Sequence, residues 1–223
     1  MTEIEFKSKM GVELIDFYGG DSRVVQSARV STLGANEPEP GEGKGLVKFL
    51  LREGHMSPFE HSGFTFRVHA PIFVTRQMLR HRSSQFNEES GRYRELEPVF
   101  YVPSAERPVV QVGKTGDYTF QHDIDASLFL SHELKTATSD SWRSYKYMLD
   151  RGIAKEVARM VLPVNLFSTM YMTLNARNLM HFLDLRLDKH AQSEIREVAE
   201  HMEVAFSYEM PWTYDAWKES KNG

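Results

Sequence analysis

Phe64-Thr65-Phe66-Arg67-Val68-His69-Ala70-Pro71-Ile72-Phe73-Val74-Thr75-Arg76-Gln77-Met78-Leu79-Arg80-His81-Arg82 changes its periodicity half-way along. Phe64, Phe66 and Val68 alternate with Thr65, Arg67 and His69, the period-two pattern of a strand buried on one face. Pro71 then stands where a helix accepts proline, at its first position, because the N–H it lacks would have no partner there. The spacing predicts a helix to about Arg82 that sets Gln77, Arg80 and Ser84 on one stripe.

The same two periods recur on either side. Upstream, Gly19, Gly20, Gly34 and the run from Pro38 to Gly45 mark loops around a short helix near Asp21 to Val30. Leu46 to Leu51 reads as helix, with Gly54 placed to end it, before a polar turn from His55 to His61. Downstream, Ser83 to Glu97 reads as a long polar loop, and Val109–Val112 and Tyr118–Phe120 as a hairpin around Gly113 to Asp117. Helices are predicted over roughly Asp125 to Leu149, stopping before Gly152, and up to Leu162, where Pro163 ends the next one. Phe167 to Leu174 alternates as a strand, and Asn175 caps a helix bearing Arg177, His181 and Arg186. Ile195, Val198, Met202 and Phe206 give a final amphipathic helix. Few strands, irregularly interleaved with helices, predict an α+β fold: a single domain over residues 1–223 with a mainly antiparallel sheet flanked by helices.

Composition narrows the function. The 223 residues suffice for one sizeable core, and 41% apolar with 26% charged residues is ordinary for a soluble globular chain. A net charge of -4 lacks the electrostatic footprint of a nucleic-acid coat, so no nucleic-acid partner is expected, while a local basic pocket for one nucleotide stays open. Met1 to Met10 holds no long apolar run and no stretch reaches the length of a spanning helix, so a cytoplasmic protein without a membrane partner is expected. There is no cysteine, hence no disulfide, no zinc–thiolate site and no thiol nucleophile.

Arg80, His81 and Arg82 are followed by Ser83, Asn87, Glu88, Ser90, Gly91, Arg92 and Tyr93. Guanidinium and hydroxyl groups in one segment suit phosphate, because a guanidinium gives two parallel donors to its oxygens. Gly91 allows close backbone approach. The competing reading is a solvated loop in which Glu88, Glu89, Glu95 and Glu97 neutralise the arginines. Arg159, Asn175, Arg177, His181, Arg186 and His190 form a second cluster, of which Arg186 is also explained by the helix dipole. The histidine spacings match no zinc or iron pattern, so no metal is expected. A nucleotide-binding regulator would use the same arginines, and Arg92-Tyr93-Arg94 is the one hint of an RNA-binding module.

Arg80-His81-Arg82, seven residues and then Ser90, resembles the signature of the flavin-dependent thymidylate synthases, and Asn87, Glu88, Gly91, Arg92 and Tyr93 agree with it. The resemblance extends through Ala28–Ser31, Gly54–His61, Ala70–Phe73, Tyr101–Ser104, Glu156–Arg159, Asn175–Arg177, Leu185-Arg186, His190–Gln192 and Pro211–Thr213. It implies a homotetramer with active sites between subunits that methylates dUMP to dTMP. Methylenetetrahydrofolate is then the carbon donor and leaves as tetrahydrofolate, and NADPH-reduced FAD is the hydride carrier. It further implies that Ser57, Arg80, His81, Arg82, Glu88, Asn175, Ala176, Arg177 and His181 bind FAD. Gln77, Arg80, Glu88, Ser90, Gly91, Arg92, Arg159 and Arg186 would hold dUMP, with Arg186 polarising the uracil ring as the catalytic group. The absence of any thiol is consistent with this, since a positioned cation is the remaining way to stabilise charge on that ring.

Overall fold

The computed structural model describes residues 3–34, 43–114 and 116–221. They divide into two compact units, between which the chain passes back and forth.

One unit comprises the described residues of Met10–His69, Arg76–Glu88 and Thr169–Gly223. Its four-stranded sheet runs in the order β2 (Gly11–Tyr18), β3 (Gly63–Pro71), β8 (Phe167–Asn175), β4 (Gln85–Glu88). β2 pairs antiparallel with β3, Gly11 opposite His69, and β4 antiparallel with β8, Gln85 opposite Thr173. Thr65 bonds Thr173 and His69 bonds Thr169, each at 3.0 Å, so β3 and β8 also run in opposite directions. The alternation expected of both central strands is observed. Phe64, Phe66, Val68, Met170, Met172 and Leu174 are buried, while the threonines and Arg67 face the other way.

Helix α7 (Ser193–Glu209) covers the buried side with Ile195, Val198, Ala199, Met202 and Phe206, a three-and-four spacing on one face. Phe206 packs on Phe64 at 6.0 Å and on Trp217 of α8 (Pro211–Glu219) at 5.9 Å. Helix α8 is not among the helices expected from the sequence. Its first turn is capped from far along the chain: the buried Asp21 carboxylate accepts from Trp212 N, Thr213 N and Thr213 Oγ1 at 2.8, 3.0 and 2.6 Å. Asp21 opens α1 (Asp21–Leu33), and α2 (Lys44–Arg52) ends as expected at Gly54, whose φ of 70° favours glycine. The Pro38 to Glu42 part of the expected loop lies outside the described residues. The 3₁₀ turn η1 (Ser57–His61) precedes β3. Asn175 caps α6 (Ala176–Arg186) as the sequence indicated, its Oδ1 accepting from Asn178 N at 2.9 Å.

The other unit comprises the described residues of Met1–Lys9, Ala70–Thr75 and Glu89–Ser168. β1 (Glu5–Lys7) pairs parallel with β5 (Val99–Tyr101). The long α4 (Ile124–Asp150) is capped by Asp123, and its Trp142 and Tyr145 pack with Phe100, Ala158 and Leu166 into a core. The predicted hairpin is β6 (Val110–Lys114) with β7 (Asp117–Gln121). The helix expected up to Leu162 is two short pieces, α5 (Lys155–Ala158) and the 3₁₀ turn η2 (Arg159–Val161), with Leu162 already extended before Pro163.

Two expectations around the opening stretch are corrected. The helix after Pro71 is α3 (Ile72–Met78), and it stops four residues early. Arg80 N and His81 N bond the carbonyls of Gln77 and Met78, three residues back, and Ser84 N bonds His81 O, so the chain tightens into turns. The stripe of Gln77, Arg80 and Ser84 therefore does not exist. The supposed loop from Ser83 then contains β4, a polar edge strand whose hydrogen bonds to β8 draw the chain out of the turn. The expected single sheet is, among the described residues, one four-stranded antiparallel sheet and two two-stranded ones.

Candidate active site

The Arg80–Ser84 turn is fastened to α6 at both ends of that helix. Asn178 Nδ2 donates to Ser83 O at 3.1 Å, and two turns further on Arg186 Nε donates to His81 Nε2 at 3.0 Å. Arg186 Nη2 also reaches Gln77 O at 3.4 Å. His81 is buried, with Phe182 set edge-on at 4.7 Å and His181 at 6.1 Å. Burial first, then the Arg186 charge, then His181 lower its pKa to about 4. Arg186 is half-buried, and that burial draws its pKa below the ordinary arginine value.

Asn175 at the cap of α6, and Arg177 and His181 on it, line a cavity of about 740 Å³, together with Ser83 of the turn, Met56, Glu60 and Trp217. That volume lies within the usual range of small-molecule sites. Arg177 and His181, four residues apart, share a helix face as their spacing predicts. Arg177 is held by an ion pair to Glu60. Ser57 is exposed at the start of η1, between lining residues Met56 and Glu60. Arg80 and Arg82 are exposed and, among the described residues, have no ion-pair partner. Glu88 ends β4, exposed, opposite Met170. Ala176 is fully buried and its N–H bonds Ser62 O at 2.9 Å, so it fixes the start of α6. Ser84 Oγ, in the same turn, is buried without a hydrogen-bond partner.

Ser90, Gly91, Arg92 and Arg159 belong to the other unit, where they come together. Ser90 Oγ accepts from Arg92 N at 3.3 Å, and Ser90 O accepts from Tyr93 N and Arg94 N, a tight turn. A Cβ on Gly91 would stand 2.8 Å from Leu96 Cδ1 and 3.2 Å from Arg159 Cδ, so a larger residue would first displace the Leu96 side chain and then crowd Arg159. Arg92 pairs with Glu156 at 3.3 Å and lies over Tyr93. The neutralised-loop reading holds in part. Arg94 takes Glu89 and Glu97, and Glu95 pairs with Lys146, all within this unit. Gln77 Nε2 donates to Gln192 Oε1 at 2.7 Å. Gln192, Glu60 and Glu156 lie in stretches that resemble the family, but the sequence alone assigns them no role, since each acts through a partner distant in sequence. Among the described residues, no three His, Asp or Glu side chains converge as a metal site needs.

Exposed arginines without an ion pair among the described residues, on a turn whose Ser83 lines a roomy cavity, have the chemistry to take a phosphorylated ligand. The profile of the family described as Thymidylate synthase complementing protein matches residues 13–212. A flavin-dependent thymidylate synthase of Tropheryma whipplei is 45% identical, over 96% of this chain and 94% of that protein. One of Streptomyces avermitilis is 46% identical over 95% and 92%. The crystal structure of the UMP/dUMP methylase PolB from Streptomyces cacaoi, bound with 5-Br dUMP, superposes with a TM-score of 0.91 at 44% identity and 97% coverage of both chains. The chain belongs to the flavin-dependent thymidylate synthase family.

Proposed function

We propose that this protein methylates dUMP to dTMP, taking the carbon from methylenetetrahydrofolate and reducing equivalents from NADPH through bound FAD. The carrying observation is Arg186. Its guanidinium is half-buried and fastened by His81 and Gln77 O, and among the described residues its Nη1 has no hydrogen-bond partner. Uracil C5 is a poor nucleophile, and this chain has no cysteine to add at C6. A fixed cation beside the ring stabilises negative charge as it develops there, with no reorganisation needed at the moment of reaction.

The donor set fits FAD. Arg80 and Arg82 offer uncompensated charge for a pyrophosphate, Asn175, Arg177 and His181 offer donors along the cavity, and Ser84 supplies an orphaned hydroxyl. With Ser57, His81, Glu88 and the start of α6 at Ala176, these residues hold the cofactor. When bound, FAD supplies the redox chemistry that side chains lack. Gln77, Arg80, Glu88, Ser90, Gly91, Arg92 and Arg159 hold dUMP, the arginines at its phosphate, in a homotetramer whose active sites draw on neighbouring subunits. Ser90 binds rather than attacks: its Oγ is engaged by Arg92 N, and among the described residues no general base is bonded to it.

The test is dTMP formation from dUMP, methylenetetrahydrofolate, NADPH and FAD, with UMP run alongside because the PolB relative is named for both nucleotides. Arg186→Ala should lower turnover about a hundredfold or more while FAD binding survives. No dTMP from the wild-type protein with all four components present would overturn the proposal.

A further inference from the structure

Arg186 is the cation on which the proposed uracil activation depends, and its side-chain contacts say how it is aimed. Nε and Nη2 form one edge of the guanidinium, and both are taken: Nε by His81 Nε2 at 3.0 Å, Nη2 by Gln77 O at 3.4 Å. The Nη1 end is what this arrangement leaves for a ligand. A guanidinium has five donors and no acceptor, so the ring nitrogen facing it must carry a lone pair. His81 is therefore unprotonated at Nε2, and its neutral form carries the proton on Nδ1. The ring is 7% exposed and wedged edge-on against Phe182, so it cannot swing away without opening the packing under α6.

We infer that His81 is a positioning residue that acts through Arg186, a neutral Nδ1-protonated imidazole that fixes the plane of the guanidinium so that Nη1 points at the pyrimidine. Burial and two neighbouring bases, Arg186 and His181, keep the ring neutral at ordinary pH, which preserves the acceptor. A protonated ring would lose the hydrogen bond and set a second cation against the first. The inference rests on the reading of Arg186 as the uracil-facing cation, and the experiment separates the two.

Glutamine reaches about as far as Nε2 and offers an acceptor oxygen there, whereas asparagine ends near the Nδ1 position. His81→Asn should lower kcat, measured at saturating FAD and dUMP, roughly ten- to hundredfold, the cost of a misaimed catalytic group, with the melting temperature of the apo-protein close to native. His81→Gln should recover most of that loss. A ring that merely fills space would lower the melting temperature of both variants and would not separate them in kcat. Combining His81→Asn with Arg186→Ala should be no slower than Arg186→Ala alone, because one interaction is removed twice. If Arg186→Ala turns over at the native rate, the reading of Arg186 fails. If Arg186→Ala is crippled but His81→Asn is native, the positioning role alone fails. Should the Asn variant not fold, the nitrogen spectrum of ¹⁵N-histidine-labelled wild-type protein decides. A bare Nε2 with a protonated Nδ1 on His81 at neutral pH supports the inference, and a protonated Nε2 overturns it.

Discussion

Arg92 and Arg80 carry the same charge in different company. Arg92 shares an exposed ion pair with Glu156, the kind of contact that contributes about 0–1 kcal/mol, while Arg80 has no ion pair among the described residues. Arg92→Ala should therefore leave the melting temperature of the apo-protein nearly unchanged and weaken dUMP binding, measured by titration calorimetry. Lost stability with native dUMP affinity would instead return Arg92 to the neutralised-loop reading. His81 gives the opposite kind of prediction, one about stability. Its pKa of about 4 in the folded state lies below the ordinary 6.5, so between those values the unfolded chain binds the additional proton. That contribution to stability is present above pH 6.5 and is lost progressively as pH falls towards 4. Urea titrations of the apo-protein at pH 7 and pH 4.5 should show a smaller drop for His81→Gln than for wild type, and equal drops would remove His81 from the account. None of this was legible locally. Burial is the larger cause of the lowered His81 pKa, and the cation beside it is Arg186, 105 positions away.

At the scale of elements, what could be read in advance was whatever had a one-sided burial pattern. β3 and β8 alternate because one face of each lies in the core, and α7 shows its stripe for the same reason. The edge strand β4 reads Gln-Phe-Asn-Glu with no buried residue, so nothing distinguishes it from a loop until β8 is beside it. The early end of α3 follows from the same pairing, since a chain cannot both continue a helix through Arg82 and extend from Gln85. Helix α8 was hidden for another reason: its N-terminal cap is not the preceding residue but Asp21, 191 positions earlier. That arrangement is testable. Asp21→Ala would leave two backbone N–H groups and the Thr213 hydroxyl without their acceptor, at a cost of about 2–3 kcal/mol in urea unfolding. Asp21→Asn, which keeps an acceptor oxygen, should lose less. A loss below about 0.5 kcal/mol for Asp21→Ala would show that α8 does not depend on this carboxylate.

For the whole molecule, the informative fact is where charge is left uncompensated. The chain has a net charge of -4, and many of its cations are committed: Lys44 to Asp215, Lys48 to Glu219, Arg94 to Glu89 and Glu97, Lys146 to Glu95, Lys218 to Glu203. Arg80 and Arg82, like Arg23 and Arg76, are exposed without an ion pair among the described residues, but they sit on a turn whose Ser83 lines the 740 Å³ cavity. Two uncompensated guanidinium groups repel each other and bring the fold little, so a role in binding an anion explains them better than a role in folding. If that anion is the pyrophosphate of FAD, the purified protein should be yellow, and it should elute as an oligomer well above the 25.8 kDa of one chain. Replacing Arg80 and Arg82 together by Ala should raise the Kd for FAD by tenfold or more, since each charge-assisted contact is worth about 1.5–3 kcal/mol, while the urea midpoint of the apo-protein stays put. The oligomer should persist in that variant if the arginines serve the ligand and not the assembly. A colourless monomer that fails to take up added FAD would defeat both the cofactor and the tetramer. A double variant that still binds FAD at native strength would leave the cofactor in place and move its anionic part elsewhere in the cavity.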